Sequence, residues 1–135
     1  MDAQQARLAQ RCLDAAEGNT MTFPQIVAAL MEGGFESYGV DLRRAVATYY
    51  LPSGESVEVP TADTAAAVSE RFDAAALEAA IREAQALVPG YTYRGFCVKA
   101  KSAGCTGYMV SFLGRRAVYF SRTGEVHTEH FPSQP

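Results

Sequence analysis

Ser111, Tyr119 and His127 stand at a spacing that would place them in one row across three neighbouring strands. A serine and a histidine in such a row suggest a nucleophile with a general base. However, Ser111 and His127 would lie two strands apart, about 9.6 Å at the usual interstrand spacing. A general base has to come within about 3 Å of the hydroxyl. The row therefore favours a polar surface over a hydrolase dyad, and no catalytic residue is assigned.

Charged residues close to this row complete a candidate ligand site. The arginine pair at 115–116 is suited to phosphate or carboxylate groups, and its alternative interpretation is exposed charge at a turn. Neither half of the chain has a glycine-rich phosphate loop. The candidate ligand-binding residues are Tyr108, Ser111, Arg115, Arg116, Tyr119, His127, Glu129 and Asp41.

Three cysteines and two histidines raise the question of a metal site. Cys97 and Cys105 are eight positions apart, whereas strong zinc sites use close ligand pairs. His127 and His130 would point to opposite faces of a strand. We therefore predict no metal and no cofactor, and we interpret the cysteines, Cys12 included, as small core residues in a reducing cytoplasm.

An internal repeat organises the chain. Residues 22–55 recur without a gap as residues 92–125, with 8 identities in 34 aligned positions. Positions that match between the copies are best explained by folding, and polar positions that differ are better functional candidates. Asp41/Ser111 and Val57/His127 are such differences.

Each copy is predicted to begin with two helices and to continue as a three-stranded meander. Asp2, Thr22 and Asp73 are suitable helix caps. Segment 92–103 fits a strand or a helix, and its alignment with the helix after Thr22 favours the helix. Three-residue hairpin loops would place one set of apolar pairs on the core face. These predicted pairs are Phe112 with Val118, Val110 with Phe120, and Phe120 with Val126.

The predicted fold class is α+β, an internal duplication of a helix–helix–three-stranded antiparallel meander with the helices packed on one face of antiparallel sheet. Residues 1–135 would form a single domain of two repeats, about 1–65 and 71–135. The six strands either join into one sheet or form two facing sheets. At 135 residues the chain is long enough for one substantial core.

Composition limits the function classes. The net charge of -3 argues against nucleic-acid binding. No apolar run approaches a membrane span, and the N-terminus has no signal pattern, so a cytoplasmic protein without membrane contact is expected.

Four blocks of sequence resemble a small bacterial and prophage family. They are residues 38–42 (YGVDL), 48–56 (TYYLPSGES), 103–108 (AGCTGY) and 114–129 (GRRAVYFSRTGEVHTE). The chain is similar over about residues 20–132 to the YdfO-like family of unknown function, whose members are often labelled "phage envelope protein". The resemblance implies no particular catalytic or binding residue.

Two functional hypotheses follow. The first is a non-enzymatic binding or protein-interaction module that forms a homodimer through an open sheet edge or a helix face. The second is a small-molecule-binding protein or enzyme with its site at the seam between the two repeats. In the second hypothesis the site uses Tyr108, Tyr119, His127, Arg115 or Arg116. Separately, four tyrosines at matched repeat positions would be able to line a pocket between the copies, and their alternative interpretation is ordinary core. They are Tyr38, Tyr49, Tyr108 and Tyr119.

Overall fold

Three of the four helices follow the capping residues that the sequence predicts, and the fourth follows Thr92. The computed structural model describes residues 1–131. Asp2 and Thr22 each form a capping box, and Asp73 and Thr92 each accept a hydrogen bond from a backbone amide of the first turn. The ambiguous segment after Thr92 is therefore helical, as predicted. The helices are α1 (Ala3–Glu17), α2 (Phe23–Glu32), α3 (Ala74–Ala86) and α4 (Tyr93–Ser102).

The strands join into one six-stranded antiparallel sheet, which decides between the two predicted arrangements. Its order is β3-β2-β1-β4-β5-β6. Each half of the chain contributes two helices followed by a three-stranded meander, so the predicted α+β fold class is confirmed. The strands are β1 (Ser37–Asp41), β2 (Val46–Tyr50), β3 (Ser56–Pro60), β4 (Cys105–Ser111), β5 (Arg116–Ser121) and β6 (Val126–His130).

The two halves meet at the antiparallel pair of β1 and β4, which we call the seam. Tyr38 lies opposite Val110, and Val40 lies opposite Tyr108. Gly107 allows the close approach of these strands, because a Cβ atom there would stand 2.4 Å from the carbonyl oxygen of Val40. The seam thus places the matched tyrosines of both halves at the centre of the sheet.

The predicted register between β4 and β5 is wrong. The turn joining them has four residues, 112–115, and not three. Arg115 takes the left-handed conformation with a φ of 51°, as Ala45 does at 56° in the first half. Val110 consequently pairs with Ala117, and Met109 pairs with Val118.

This shift exchanges the two faces of β5, since a slip by an odd number of residues turns every side chain over. Tyr119 is buried on the helix-covered inner face, between Tyr108 and His127. Ser111 instead lies opposite Arg116, so the predicted row of Ser111, Tyr119 and His127 does not exist. The predicted pair of Phe120 and Val126 is present, but these side chains are 41% and 55% exposed on the outer face rather than in the core.

The helices cover only the inner face, where one hydrophobic core forms. Leu30 of α2, Leu77 of α3 and Val110 of β4 are fully buried there. In the described residues, 1–131, no helix is long and apolar enough to cross a membrane.

The connector between the halves, residues 61–72, contains no helix and is held by α4. The buried Lys101 donates from Nζ to the carbonyl oxygen of Thr64 at 2.7 Å. The backbone oxygen of Lys101 accepts from the Ser69 amide at 2.9 Å. Because a buried ammonium requires hydrogen-bond partners, these contacts fix the connector against the second half.

Candidate functional site

A cavity of about 760 Å³ lies between the helices and the inner face of the sheet. Its walls come from all four helices, from the α1–α2 and α3–α4 loops, and from the central strands of the sheet. Small-molecule sites commonly have volumes of roughly 300–1,000 Å³ and apolar walls with a few polar groups. The cavity has this size and lies above the seam.

Tyrosines dominate the cavity, since six of the seven in the chain line it. Four of them form what we call the tyrosine floor: Tyr38, Tyr49, Tyr108 and Tyr119. Tyr38 stacks on Tyr49 with a centroid distance of 5.4 Å, and Tyr108 lies 5.3 Å from Tyr119. Tyr38 also meets Tyr108 edge-on across the seam at 6.4 Å. The structure thus brings together the four tyrosines that the sequence offers as a pocket lining between the copies, and it also buries them as part of the core.

Three hydroxyl groups of the tyrosine floor are without a partner in the described part of the chain. Tyr108 shares a hydrogen bond of 2.6 Å with Tyr93 of α4. Within residues 1–131, the hydroxyls of Tyr38, Tyr49 and Tyr119 have no hydrogen-bond partner, although these side chains are more than nine-tenths buried. The same residues include no side-chain oxygen that is both unpartnered and closed off from open space. The three hydroxyl oxygens therefore open into the cavity.

Burial keeps these phenols neutral. It raises the pKa of each tyrosine in the floor above the ordinary value of 10, because a phenolate would lose its hydration. Near neutral pH each hydroxyl is thus a hydrogen-bond donor and a weak acceptor rather than a base. The floor can orient a bound molecule by hydrogen bonds, and it is unsuited to proton abstraction.

The α1–α2 and α3–α4 loops come together above the floor. Asn19, at the end of α1, has a φ of 56°, and its side-chain oxygen accepts a hydrogen bond from the Tyr93 amide at 3.1 Å. Asparagine tolerates this left-handed conformation better than most residues. The contact joins the first half to the start of α4, beside the phenol that meets Tyr108.

The second half adds a charged cluster on one side of the cavity, which we call the polar wall: Arg82, His127 and Glu129. Glu129 accepts a hydrogen bond from Arg82 of α3, and its other oxygen lies 2.9 Å from Nε2 of His127. Burial alone would raise the pKa of Glu129, but the hydrogen bonds from Arg82 and His127 outweigh it and hold the pKa below the ordinary 4.5. The His127 ring also lies 6.3 Å from that of Tyr119.

Two predicted site residues serve hairpin turns instead. Asp41 accepts hydrogen bonds from the amides of Arg43 and Arg44, each at 2.9 Å. Ser111 accepts one from the Gly114 amide at 2.9 Å. Both residues end a central strand and cap the turn that follows. An aspartate and a serine can each accept hydrogen bonds from turn amides, so the difference between them is explained by the turn.

The predicted arginine pair lies at the edge of the site rather than in it. Arg115 places its guanidinium 5.6 Å from the ring centre of Phe131, a residue that lines the cavity. Arg116 is exposed, and its Nε donates to the carbonyl oxygen of Gly114 at 3.1 Å. Of the predicted residues, Tyr108, Tyr119 and Glu129 line the cavity, and His127 supports Glu129.

The cysteines and histidines of the described residues are not arranged for thiol or metal chemistry. All three cysteines are buried, and burial raises the pKa of Cys97 and Cys105 to about 11. Over residues 1–131 no three histidine, cysteine, aspartate or glutamate side chains are grouped so that they could hold a metal ion. His127 and His130 alternate along β6, so they point to opposite faces.

Sequence reasoning missed Arg82, Tyr93 and Asn19. Tyr93 carried a usable signal, because its repeat counterpart is Phe23 and the two differ by one hydroxyl. From the sequence, Arg82 is expected only to form an i,i+4 ion pair with Glu78, and the structure contains this pair. Its contact with Glu129 joins residues that are 47 positions apart, so no local sequence pattern predicts it.

Comparison with known proteins gives a family for the chain but no activity for this site. No curated protein matches the chain. One family model matches residues 10–130, which is most of the sequence. The chain therefore belongs to the family described as "Protein of unknown function (DUF1398)".

Proposed function

We propose that this protein binds a small, largely apolar molecule in the cavity above the tyrosine floor. The observation that carries the proposal is a set of three hydroxyls, on Tyr38, Tyr49 and Tyr119, that have no partner among residues 1–131 and open into one cavity. Buried polar groups in proteins are almost always hydrogen-bonded. A bound molecule with suitably placed polar atoms would satisfy them while its apolar part contacts the rings.

The proposed activity is binding without chemical conversion. The phenols and the buried thiols stay protonated near neutral pH, and both carboxylate oxygens of Glu129 are occupied by Arg82 and His127. General-base and nucleophilic catalysis both need a group that is free to take a proton or to attack. The protonated phenols and thiols and the occupied carboxylate of Glu129 support a carrier or a sensor more than an enzyme.

A thermal-unfolding screen against small neutral and charged metabolites tests the proposal. A compound present at about 100 times its Kd should stabilise the protein by roughly 2.7 kcal/mol, because it binds only the folded state. The variant Tyr38→Phe removes one floor hydroxyl and keeps the ring. It should weaken binding by roughly two- to tenfold, the usual value of one hydrogen bond.

The matched control is Tyr50→Phe. Tyr50 lies next to Tyr49 but on the outer face, where it is 41% exposed. Binding should be the same in this variant as in the parent protein. The proposal fails if no compound stabilises the parent, or if the two phenylalanine variants weaken binding equally.

The homodimer stays a second proposal, supported by the uncovered outer face. Phe120 and Val126 are paired neighbours there and are largely exposed, and the outermost strands, β3 and β6, are the sheet edges. Edge strands and exposed apolar neighbours favour self-association. Light scattering at rising concentration tests it, and a monomeric mass throughout would contradict it.

Three finer sequence predictions also remain proposals. The YdfO-like resemblance supports a bacterial or prophage origin, and the composition supports a cytoplasmic location. The seventy-residue offset supports the division of one domain into repeats at about 1–65 and 71–135. Unfolding followed by two independent probes tests the single domain, since coincident transitions are expected.

A further inference from the structure

We infer that the cavity selects neutral molecules that carry hydrogen-bond acceptors, such as aromatic ketones, and that Glu129 determines the exclusion of anions. This inference rests on the proposed function and names its ligand class. It follows from which charges line the cavity, which are already compensated, and which hydrogen-bond donors are free.

Among the described residues that line the cavity, Glu129 is the one carboxylate, and there is no lysine or arginine. His130 also belongs to the lining, as an exposed residue that alternates to the opposite face of β6 from Glu129. A carboxylate or phosphate entering the cavity would lose its hydration, and no lysine or arginine among the described lining residues would replace it, since Arg82 at the cavity edge is already paired with Glu129. It would also have to compete with Glu129 for Arg82 and His127, because both groups are already hydrogen-bonded to that carboxylate. Anionic ligands are therefore disfavoured.

A cationic ligand lacks a free counter-charge. Both oxygens of Glu129 are occupied, one by Arg82 and the other by His127, and Arg82 brings its own positive charge to the cavity edge. Aromatic faces attract cations, by about 2 kcal/mol or more when desolvated. However, the floor rings already stack on or abut one another, with centroids 5.3–6.4 Å apart, which limits their free faces.

The available partners are neutral hydrogen-bond donors. The hydroxyls of Tyr38, Tyr49 and Tyr119 stay protonated because burial raises their pKa, so each can donate to a carbonyl or ether oxygen. A flat apolar ring would lie against the tyrosine rings, which prefer offset or edge contacts with other rings. Together these features fit an aromatic ketone better than its charged relatives.

Three probes that share one ring system test the inference: 2-acetylnaphthalene, 2-naphthoate and (2-naphthyl)trimethylammonium. Equilibrium dialysis of each against the full chain gives its Kd. The ketone should bind at least about tenfold more tightly than either charged probe, because only the charged probes lose hydration without compensation. The inference is overturned if 2-naphthoate or the ammonium probe binds as tightly as the ketone.

The variant Glu129→Gln tests the assigned residue. It removes the negative charge and releases Arg82 and His127 from their partner, so the preference for the ketone over 2-naphthoate should fall at least about tenfold. An unchanged ratio in a folded variant overturns the role of Glu129. If Glu129→Gln does not fold, Arg82→Met serves instead. Arg82→Met should leave Glu129 less compensated and shift the preference toward the ammonium probe, and no shift overturns the role.

The outcomes separate the two claims. A screen that finds stabilising compounds, all of them carboxylates or phosphates, would overturn the neutral class and leave the binding function standing. A screen with no stabilising compound, together with no binding of any naphthalene probe, would overturn the binding function itself.

Discussion

The edge strand of the first half and the edge strand of the second half occupy matching places in the sheet but differ in chemistry. In β3, Val57 and Val59 face the helices, and Val59 is 3% exposed. Seventy residues later in β6, His127 and Glu129 take these positions, and Glu129 is hydrogen-bonded to both His127 and Arg82. The same backbone thus closes the core on one side and carries the polar wall on the other.

The most disruptive change would place the chemistry of the second half in the first. Val59→Glu should destabilise the protein by about 3 kcal/mol or more, because a buried carboxylate would lack a counterpart of Arg82. Denaturant unfolding measures the loss. Val126→Glu, on the exposed outer face, is the control and should cost less than about 0.5 kcal/mol. Similar costs for both variants would mean that β3 tolerates charge as β6 does.

A second difference between the halves concerns the connector. Lys101 is buried against Thr64, whereas its repeat counterpart Met31 is 52% exposed. Lys101→Met should cost about 2 kcal/mol, because a hydrogen bond from a charged group is lost and a buried carbonyl is left alone. It should also speed proteolysis within residues 61–72.

The control for this variant is Lys99→Met. Lys99 is exposed and pairs with Glu83, so its loss should cost less than about 1 kcal/mol. If Lys99→Met destabilises as much as Lys101→Met, the connector contact has no special role.

The hairpin turns provide a comparison in which the halves should behave alike. Asp41→Ala removes two hydrogen bonds to turn amides and Ser111→Ala removes one, so we expect losses of about 1 and 0.5 kcal/mol. Neither variant should change the Kd of 2-acetylnaphthalene. A large loss of binding in Ser111→Ala would return this residue to the candidate site.

The smallest expected effect is a difference in acid sensitivity. Because the pKa of Glu129 is lowered on folding, its stabilising contribution is full above the ordinary value of 4.5 and is lost as the pH falls through the lower folded-state value. Glu129→Gln should therefore lose less stability than the parent on acidification below pH 4.5. Unfolding free energies measured at several acidic pH values test this. Glu58→Gln, on the outer face of β3, should follow the parent, and the same slope in Glu129→Gln would refute the link.

Local signals predicted most of the fold. Helix caps at Asp2, Thr22 and Asp73 specify where helices start, because their side chains satisfy otherwise unpaired amides. The β4–β5 register failed because Arg115, and not Gly114, takes the left-handed conformation. A non-glycine residue in that conformation has no clear sequence signature.

The candidate site was only partly predictable. The tyrosine floor follows from matched positions, but the face that Tyr119 occupies depends on the register. The pairing of β1 with β4 is made by backbone hydrogen bonds, which many side-chain patterns permit, so the sequence does not specify this pairing. The contact of Arg82 with Glu129 depends on how α3 lies over the sheet, and no local sequence rule determines that placement.

The clustering of six tyrosines around one cavity has a spectroscopic consequence. The chain contains no tryptophan, so its near-ultraviolet emission comes from tyrosine, and only Tyr50 lies outside the cavity. Tyrosine emission is therefore, apart from that of Tyr50, a signal from residues that line the cavity. An occupant whose absorption overlaps this emission would quench it by energy transfer, and Tyr50→Phe would remove the background. The protein thus carries its own optical reporter of occupancy.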